Sequence, residues 1–204
     1  MRSAIRLGLI LLGLLGSLVL LLQLRQENVR LRGVVYDPPL PAAGFSLVRA
    51  DGTVFRLSEQ RGKIVLLFFG YTFCPDVCPT TLSDVRLALD RLKEAERERV
   101  QVVFVSVDPE RDTPQRIQQY VEHFSPTFIG LSGSEETLTP IWKAYQVTRI
   151  VEKTTSAASY LVTHSAYLYL IDPEGYLRVI FPFGTAPDDI AYDIRYILSK
   201  SAKK

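Results

Sequence analysis

Residues 62–79 read Gly62-Lys63-Ile64-Val65-Leu66-Leu67-Phe68-Phe69-Gly70-Tyr71-Thr72-Phe73-Cys74-Pro75-Asp76-Val77-Cys78-Pro79. The first half is a continuous apolar run, the pattern of a strand buried on both faces and therefore central in a sheet. Beyond the second cysteine, apolar residues recur at 82, 85, 89 and 92, which is helical spacing. Pro79 suits the first helical turn, where its missing N–H costs no bond. Cys74 and Cys78 thus fall in a loop and at a helix start, directly past the end of a buried strand.

Outward from this block the pattern alternates. Val100 to Val107 reads as a second buried strand, and Pro114 to His123 as a helix, which makes a βαβ unit. Thr127 to Leu131 adds a strand and Ser134 to Tyr145 a helix. Upstream, Phe45 to Val48 and Thr53 to Leu57 flank the turn dipeptide Asp51-Gly52. Downstream, Ala166 to Ile171 and Leu177 to Phe181 flank Asp172-Pro173-Glu174-Gly175, a second hairpin, and Pro187 to Leu198 closes as an amphipathic helix. An order βαβα followed by ββα predicts an α/β, thioredoxin-like fold.

Leu7 to Leu24 is an 18-residue run without a charge. At ~1.5 Å per residue it reaches across the hydrocarbon layer, which predicts an N-terminal transmembrane helix. Neither a small-x-small cleavage site nor a lipid-attachment cysteine follows it, so the reading favours an uncleaved anchor over a secretory signal. Arg2 and Arg6 on one side face Arg25, Arg30 and Arg32 on the other, and charge leaves the orientation open. The predicted organisation is an anchor over 1–25, a proline-containing linker over 26–43 and one domain over 44–204. The linker reading rests on Pro38, Pro39 and Pro41, which stiffen an extended chain.

The chain has 204 residues, 24 basic and 22 acidic. Without the first 25 residues, which hold three arginines and no acid, the balance is 21 basic to 22 acidic. A body with net charge near zero has no broad attraction for a phosphate backbone, and this argues against a nucleic-acid partner.

A disulfide between Cys74 and Cys78 would close almost no loop and so would constrain the unfolded chain only weakly. A helix N-terminus lowers thiol pKa, and reactivity explains the pair better than structure does. Thioredoxin-class oxidoreductases use C-x-x-C. The longer C-x-x-x-C sets the sulfurs one turn apart if the helix reaches back to Cys74, so that both can face one ion. Two thiolates suit copper(I) or zinc, and copper(II) also accepts an imidazole. The chain has two histidines, and its one methionine is Met1. His164 precedes the Ala166 to Ile171 strand, near the place where a thioredoxin-like chain carries a proline facing the cysteines; an ordinary half-buried histidine is the plainer alternative. His123 lies on the Pro114 helix and reads as surface.

The block 62–79 resembles the signature of the Sco/SenC proteins, copper carriers for cytochrome c oxidase assembly. Three further stretches agree: Ser106-Val107-Asp108-Pro109-Glu110-Arg111-Asp112-Thr113-Pro114, Phe128-Ile129-Gly130-Leu131-Ser132-Gly133-Ser134, and Thr163-His164 with Leu168 to Gly175. The similarity covers roughly residues 44–199. It implies a thioredoxin-like domain binding one copper ion through Cys74, Cys78 and His164, and aiding copper insertion into the binuclear site of the oxidase. The implied partners are the copper-bearing oxidase subunit, a copper donor and a thiol reductant. It also implies an uncleaved anchor with the domain on the extracytoplasmic side, in a bacterium the inner membrane facing the periplasm. Many members carry an aspartate where this chain has Thr163. Asp108, at the same sheet edge as the cysteines, is a candidate to tune the site, with a turn cap as its alternative. A competing function is a membrane-anchored thiol-disulfide reductase using Cys74 and Cys78 as its redox pair. It is distinguished by independence from His164.

Overall fold

The computed structural model describes residues 31–153 and 160–201. Among the described residues, ten strands form a six-stranded sheet and two small hairpins. In chain order they are β1 Val34–Pro41, β2 Ser46–Val48, β3 Val54–Arg56, β4 Ile64–Gly70, β5 Val100–Ser106, β6 Ile129–Leu131, β7 Arg149–Lys153, β8 Tyr160–His164, β9 Leu168–Ile171 and β10 Tyr176–Phe181. The helices are α1 Val77–Asp90, α2 Glu94–Arg97, α3 Pro114–Glu122, α4 Glu135–Ala144 and α5 Pro187–Ser201. The large sheet runs β1-β10-β9-β4-β5-β6. β4, β5 and β6 are parallel, and β9, β10 and β1 add antiparallel neighbours.

The apolar run 64–70 forms β4, and all seven of its residues are buried between β9 and β5. Phe68, Phe69 and Phe104 lie wholly inside the core. Each such side chain contributes roughly 1.5–3 kcal/mol of apolar burial. The parallel register pairs Gly70 with Ser106, so the β4 and β5 carboxyl ends open on one edge. Helix α1 starts there, and ligand sites of open α/β sheets form at such edges. The thioredoxin-like α/β arrangement expected from the alternation is present.

The stretch read as a spacer contributes β1, paired with β10 at the sheet edge. An edge strand tolerates proline because one side of its backbone has no ladder to complete, and the register shifts between Val35 and Leu40 around Pro38 and Pro39. Its start is fixed by Asp193 of α5. The buried carboxylate accepts the backbone N–H of Arg32 at 2.8 Å and that of Gly33 at 3.0 Å. Gly33 has no room for a side chain, since a Cβ would stand 2.3 Å from Val179 Cγ1.

The expected Leu7 to Leu24 membrane span lies outside the described residues. Among the described residues no helix is long and apolar enough to cross a membrane.

Candidate metal centre

The loop from Tyr71 to Asp76 joins β4 to α1. Its first turn closes when the Cys74 N–H donates to the Tyr71 carbonyl at 3.2 Å. Helix α1 begins at Val77 and does not reach back to Cys74. The reason is local: Cys74 precedes Pro75, whose ring disfavours helical backbone at the residue before it. The sulfurs meet by another route. The Cys78 backbone N–H, at the opening of α1, donates to Cys74 Sγ at 3.3 Å. Cys78 itself is fully buried and Cys74 half-buried, and both are free thiols. Gly70 makes room for the inner sulfur: a Cβ there would lie 2.7 Å from the Phe104 ring and 2.8 Å from Cys78 Sγ.

His164 arrives on a separate element. It ends β8, which pairs antiparallel with β7 and has no ladder to the six-stranded sheet. Tyr160, Val162 and His164 alternate onto one face of β8, and Val162 is buried. The Val162 N–H donates to the Tyr71 hydroxyl at 3.3 Å. The imidazole packs edge-on against Tyr71 at 5.9 Å and Phe68 at 6.3 Å between centroids. Its Nδ1 lies 3.0 Å from the Ser165 carbonyl. A carbonyl only accepts, so Nδ1 carries the proton and Nε2 is left as a lone pair, 3.6 Å from Cys78 Sγ. The ligating atoms of Cys74, Cys78 and His164 all lie within 4.8 Å of one another.

The two thiols are driven apart in acidity. A hydrogen bond from Cys78 stabilises the Cys74 thiolate, outweighing burial, and brings Cys74 down to about 4. Burial, reinforced by the neighbouring Cys74 charge, pushes Cys78 well above the usual thiol range. The pair thus carries one negative charge, on the more accessible sulfur. Donors of one borderline-soft ion bind at about 2.0–2.3 Å and so stand within roughly 4.6 Å of each other. The observed triad satisfies this after shifts of tenths of an ångström. Its donor set, two sulfurs and an imidazole, fits copper or zinc.

Asp108 is fully buried, and its carboxylate pairs with Arg111 and accepts the Tyr160 hydroxyl at 2.7 Å. A second acid, Asp112, adds to the rise in Cys78. It is buried, accepts the Thr72 hydroxyl at 2.6 Å and the Ser106 hydroxyl at 2.7 Å, and so ties the cysteine loop to the end of β5. In the sequence Tyr71 reads as core packing or as part of an apolar rim with Phe73 and Phe183, and nothing marks its bond to β8 or the role of Asp112, since these contacts are made across tens of residues. Asp76 is exposed, as is His123. Phe73 stands 41% exposed beside the site, and Arg111 lies 4.6 Å from its ring centroid. An apolar cavity of about 400 Å³, lined in part by Tyr36, Tyr145 and Tyr169, contains none of the three candidate ligands.

Residues 37–199 match the SCO1/SenC family model. The chain belongs to the SCO1/SenC family. A mitochondrial SCO1 homologue of Arabidopsis thaliana is 42% identical over 121 residues, covering 59% of this chain and 36% of that protein. The apo Sco1 of Thermus thermophilus superposes with a TM-score of 0.76 at 38% identity, over 84% of this chain and 99% of the other. Copper-bound ScoI of Bradyrhizobium japonicum superposes with a TM-score of 0.70 at 34% identity, over 78% of this chain and 99% of the other. These SCO1/SenC relatives carry the same mixed α/β, thioredoxin-like domain.

Proposed function

We propose that this SCO1/SenC chain is a copper carrier that receives one copper ion on Cys74, Cys78 and His164 and passes it to the binuclear copper site of cytochrome c oxidase. The observation that carries the reading is the meeting of two cysteines with a histidine 86 residues away, their ligating atoms within 4.8 Å. A copper-bound family relative of the same fold supports it. The ion is cargo, and the residues' task is to hold and release it. Cys74 offers a ready thiolate, Cys78 gives up a proton on binding, and His164 presents a bare Nε2. Oxidation of the pair to a disulfide would remove both sulfur donors, so a thiol reductant is part of the proposed cycle. The proposed setting is a domain whose sheet takes in β1 over 34–41, held on the extracytoplasmic side by an anchor over 1–25, spanning at 7–24, with the oxidase's copper-bearing subunit and a copper donor as partners.

Alanine at Cys74, Cys78 or His164 is expected to weaken copper(I) binding at least tenfold. The check is competition against a chromogenic chelator under anaerobic reductant. Wild-type affinity in His164→Ala would reject the carrier assignment. The low thiolate pKa of Cys74 also suits a thiol-disulfide reductase. That second reading requires catalytic reduction of a model disulfide that survives His164→Ala.

A further inference from the structure

The sequence offers His164 as a candidate ligand but does not show what keeps it in place. β7 and β8 form an isolated two-stranded ribbon, outside the hydrogen-bond ladder of the main sheet. Such ribbons are marginal in water without packing partners. The position of the imidazole therefore depends on how β8 is fastened to the body. At its histidine end, Arg149, the register partner of His164, donates through Nε to the Val107 carbonyl at 2.6 Å. In the middle, the Val162 N–H meets the Tyr71 hydroxyl. At the far end stands a denser fastening built from Asp108, Arg111 and Tyr160.

Asp108 projects from the turn after β5 and is completely buried, and the Arg111 side chain is only 14% exposed. Arg111 pairs with one carboxylate oxygen of Asp108 through Nε, and the Tyr160 hydroxyl donates to the other at 2.7 Å. The Arg111 Nη1 donates to the Tyr160 backbone carbonyl at 3.0 Å, and its guanidinium carbon sits 3.6 Å from the centroid of the Tyr160 ring. One tyrosine is thus gripped by ring, hydroxyl and carbonyl. A buried carboxylate with a charged partner holds a hydrogen-bonded group strongly, because leaving either unpaired is costly. Tyr160 shares its strand and face with His164, four residues further on.

We propose that Asp108, Arg111 and Tyr160 form a latch that positions His164 at the cysteine pair, making them positioning residues for metal binding. The inference rests on the copper-carrier reading of the site and adds residues that touch no metal. The latch sets how far the imidazole is preorganised, and with it the affinity and lifetime of the ion on the three ligands. Opening the latch frees β8 to swing the imidazole away, leaving copper on two sulfurs in a form easier to hand on.

The test uses the reduced full-length chain with copper(I) as probe. Tyr160→Phe keeps the ring over Arg111 and removes the hydroxyl; Asp108→Asn keeps an acceptor and removes the charge. Each is expected to weaken copper(I) affinity about tenfold, as lost outer support of a ligand does. Each should also reduce the shift of the His164 Nε2 signal on loading. That signal is read by 15N-histidine NMR, with His123, the other of the two histidines, as internal reference. In a His164→Ala background neither substitution should lower affinity further. Wild-type affinity and Nε2 shift in Tyr160→Phe overturn the latch. A tenfold loss that persists without His164 overturns it too, since it marks a general structural defect. Wild-type affinity in His164→Ala alone removes the carrier reading instead, so the two failures are distinct.

Discussion

Cys74 and Cys78 hold one proton between them at neutral pH, and its place decides how copper enters. The Cys78 hydrogen bond keeps Cys74 a thiolate down to about 4, while burial keeps Cys78 protonated. Metal ligation needs both sulfurs ionised. Copper(I) binding near pH 7 should therefore release one proton, from Cys78. Because a raised pKa means the proton must be displaced, affinity should rise with pH, about tenfold per unit between pH 7 and 8.5. Titration calorimetry in buffers of different ionisation enthalpy counts that proton, and a release of two would show that Cys74 is not a thiolate before binding. At this scale the sequence was informative where chemistry is local. The cysteines announce themselves by spacing and by their place beyond a buried strand, and His164 by the scarcity of histidines and the missing proline. Asp112 and Tyr71 act through partners 40 and 91 residues away, which no local pattern marks. Asp108 stands out in the sequence for its position at the right sheet edge, and its partners Arg111 and Tyr160 are visible only in the fold.

Among the elements, those defined by a periodic apolar pattern match the sequence reading closely: β4, β5, α1, α3, α5 and the two hairpins with tight turns. Two features escaped it for physical reasons. β1 carries three prolines, which signal a spacer until an edge position makes their missing N–H groups harmless. The β7–β8 ribbon is largely exposed on β7, so it lacks an apolar signature, and its stability comes from tertiary anchors. The tie between β1 and α5 gives an element-scale prediction. Asp193→Ala removes the acceptor of two backbone N–H groups, those of Arg32 and Gly33, at the start of β1, and hydrogen bonds to a charged acceptor are each worth about 1.5–3 kcal/mol. Burial raises the Asp193 pKa and offsets part of this, so the net loss should be about 2–3 kcal/mol. The expected result is a lower urea midpoint with copper affinity unchanged in the folded protein. A wild-type midpoint would mean the tie adds no stability.

The whole molecule places a small set of soft donors at one edge of a rigid sheet and leaves one of them on a ribbon. Two sulfurs come from the loop and helix that follow β4, the strand with every residue buried. The imidazole comes from outside that frame, and this difference suits a protein that must both hold an ion and let it go. The site is half open, with Cys74 only partly buried and Phe73 exposed beside it. X-ray absorption at the copper edge of the reduced, copper-loaded full chain reads the ligand shell of the ion directly. Two sulfurs and one nitrogen are expected around each copper, with the nitrogen lost in His164→Ala. A sulfur-only shell in the wild type, unchanged by that substitution, would contradict this ligand set.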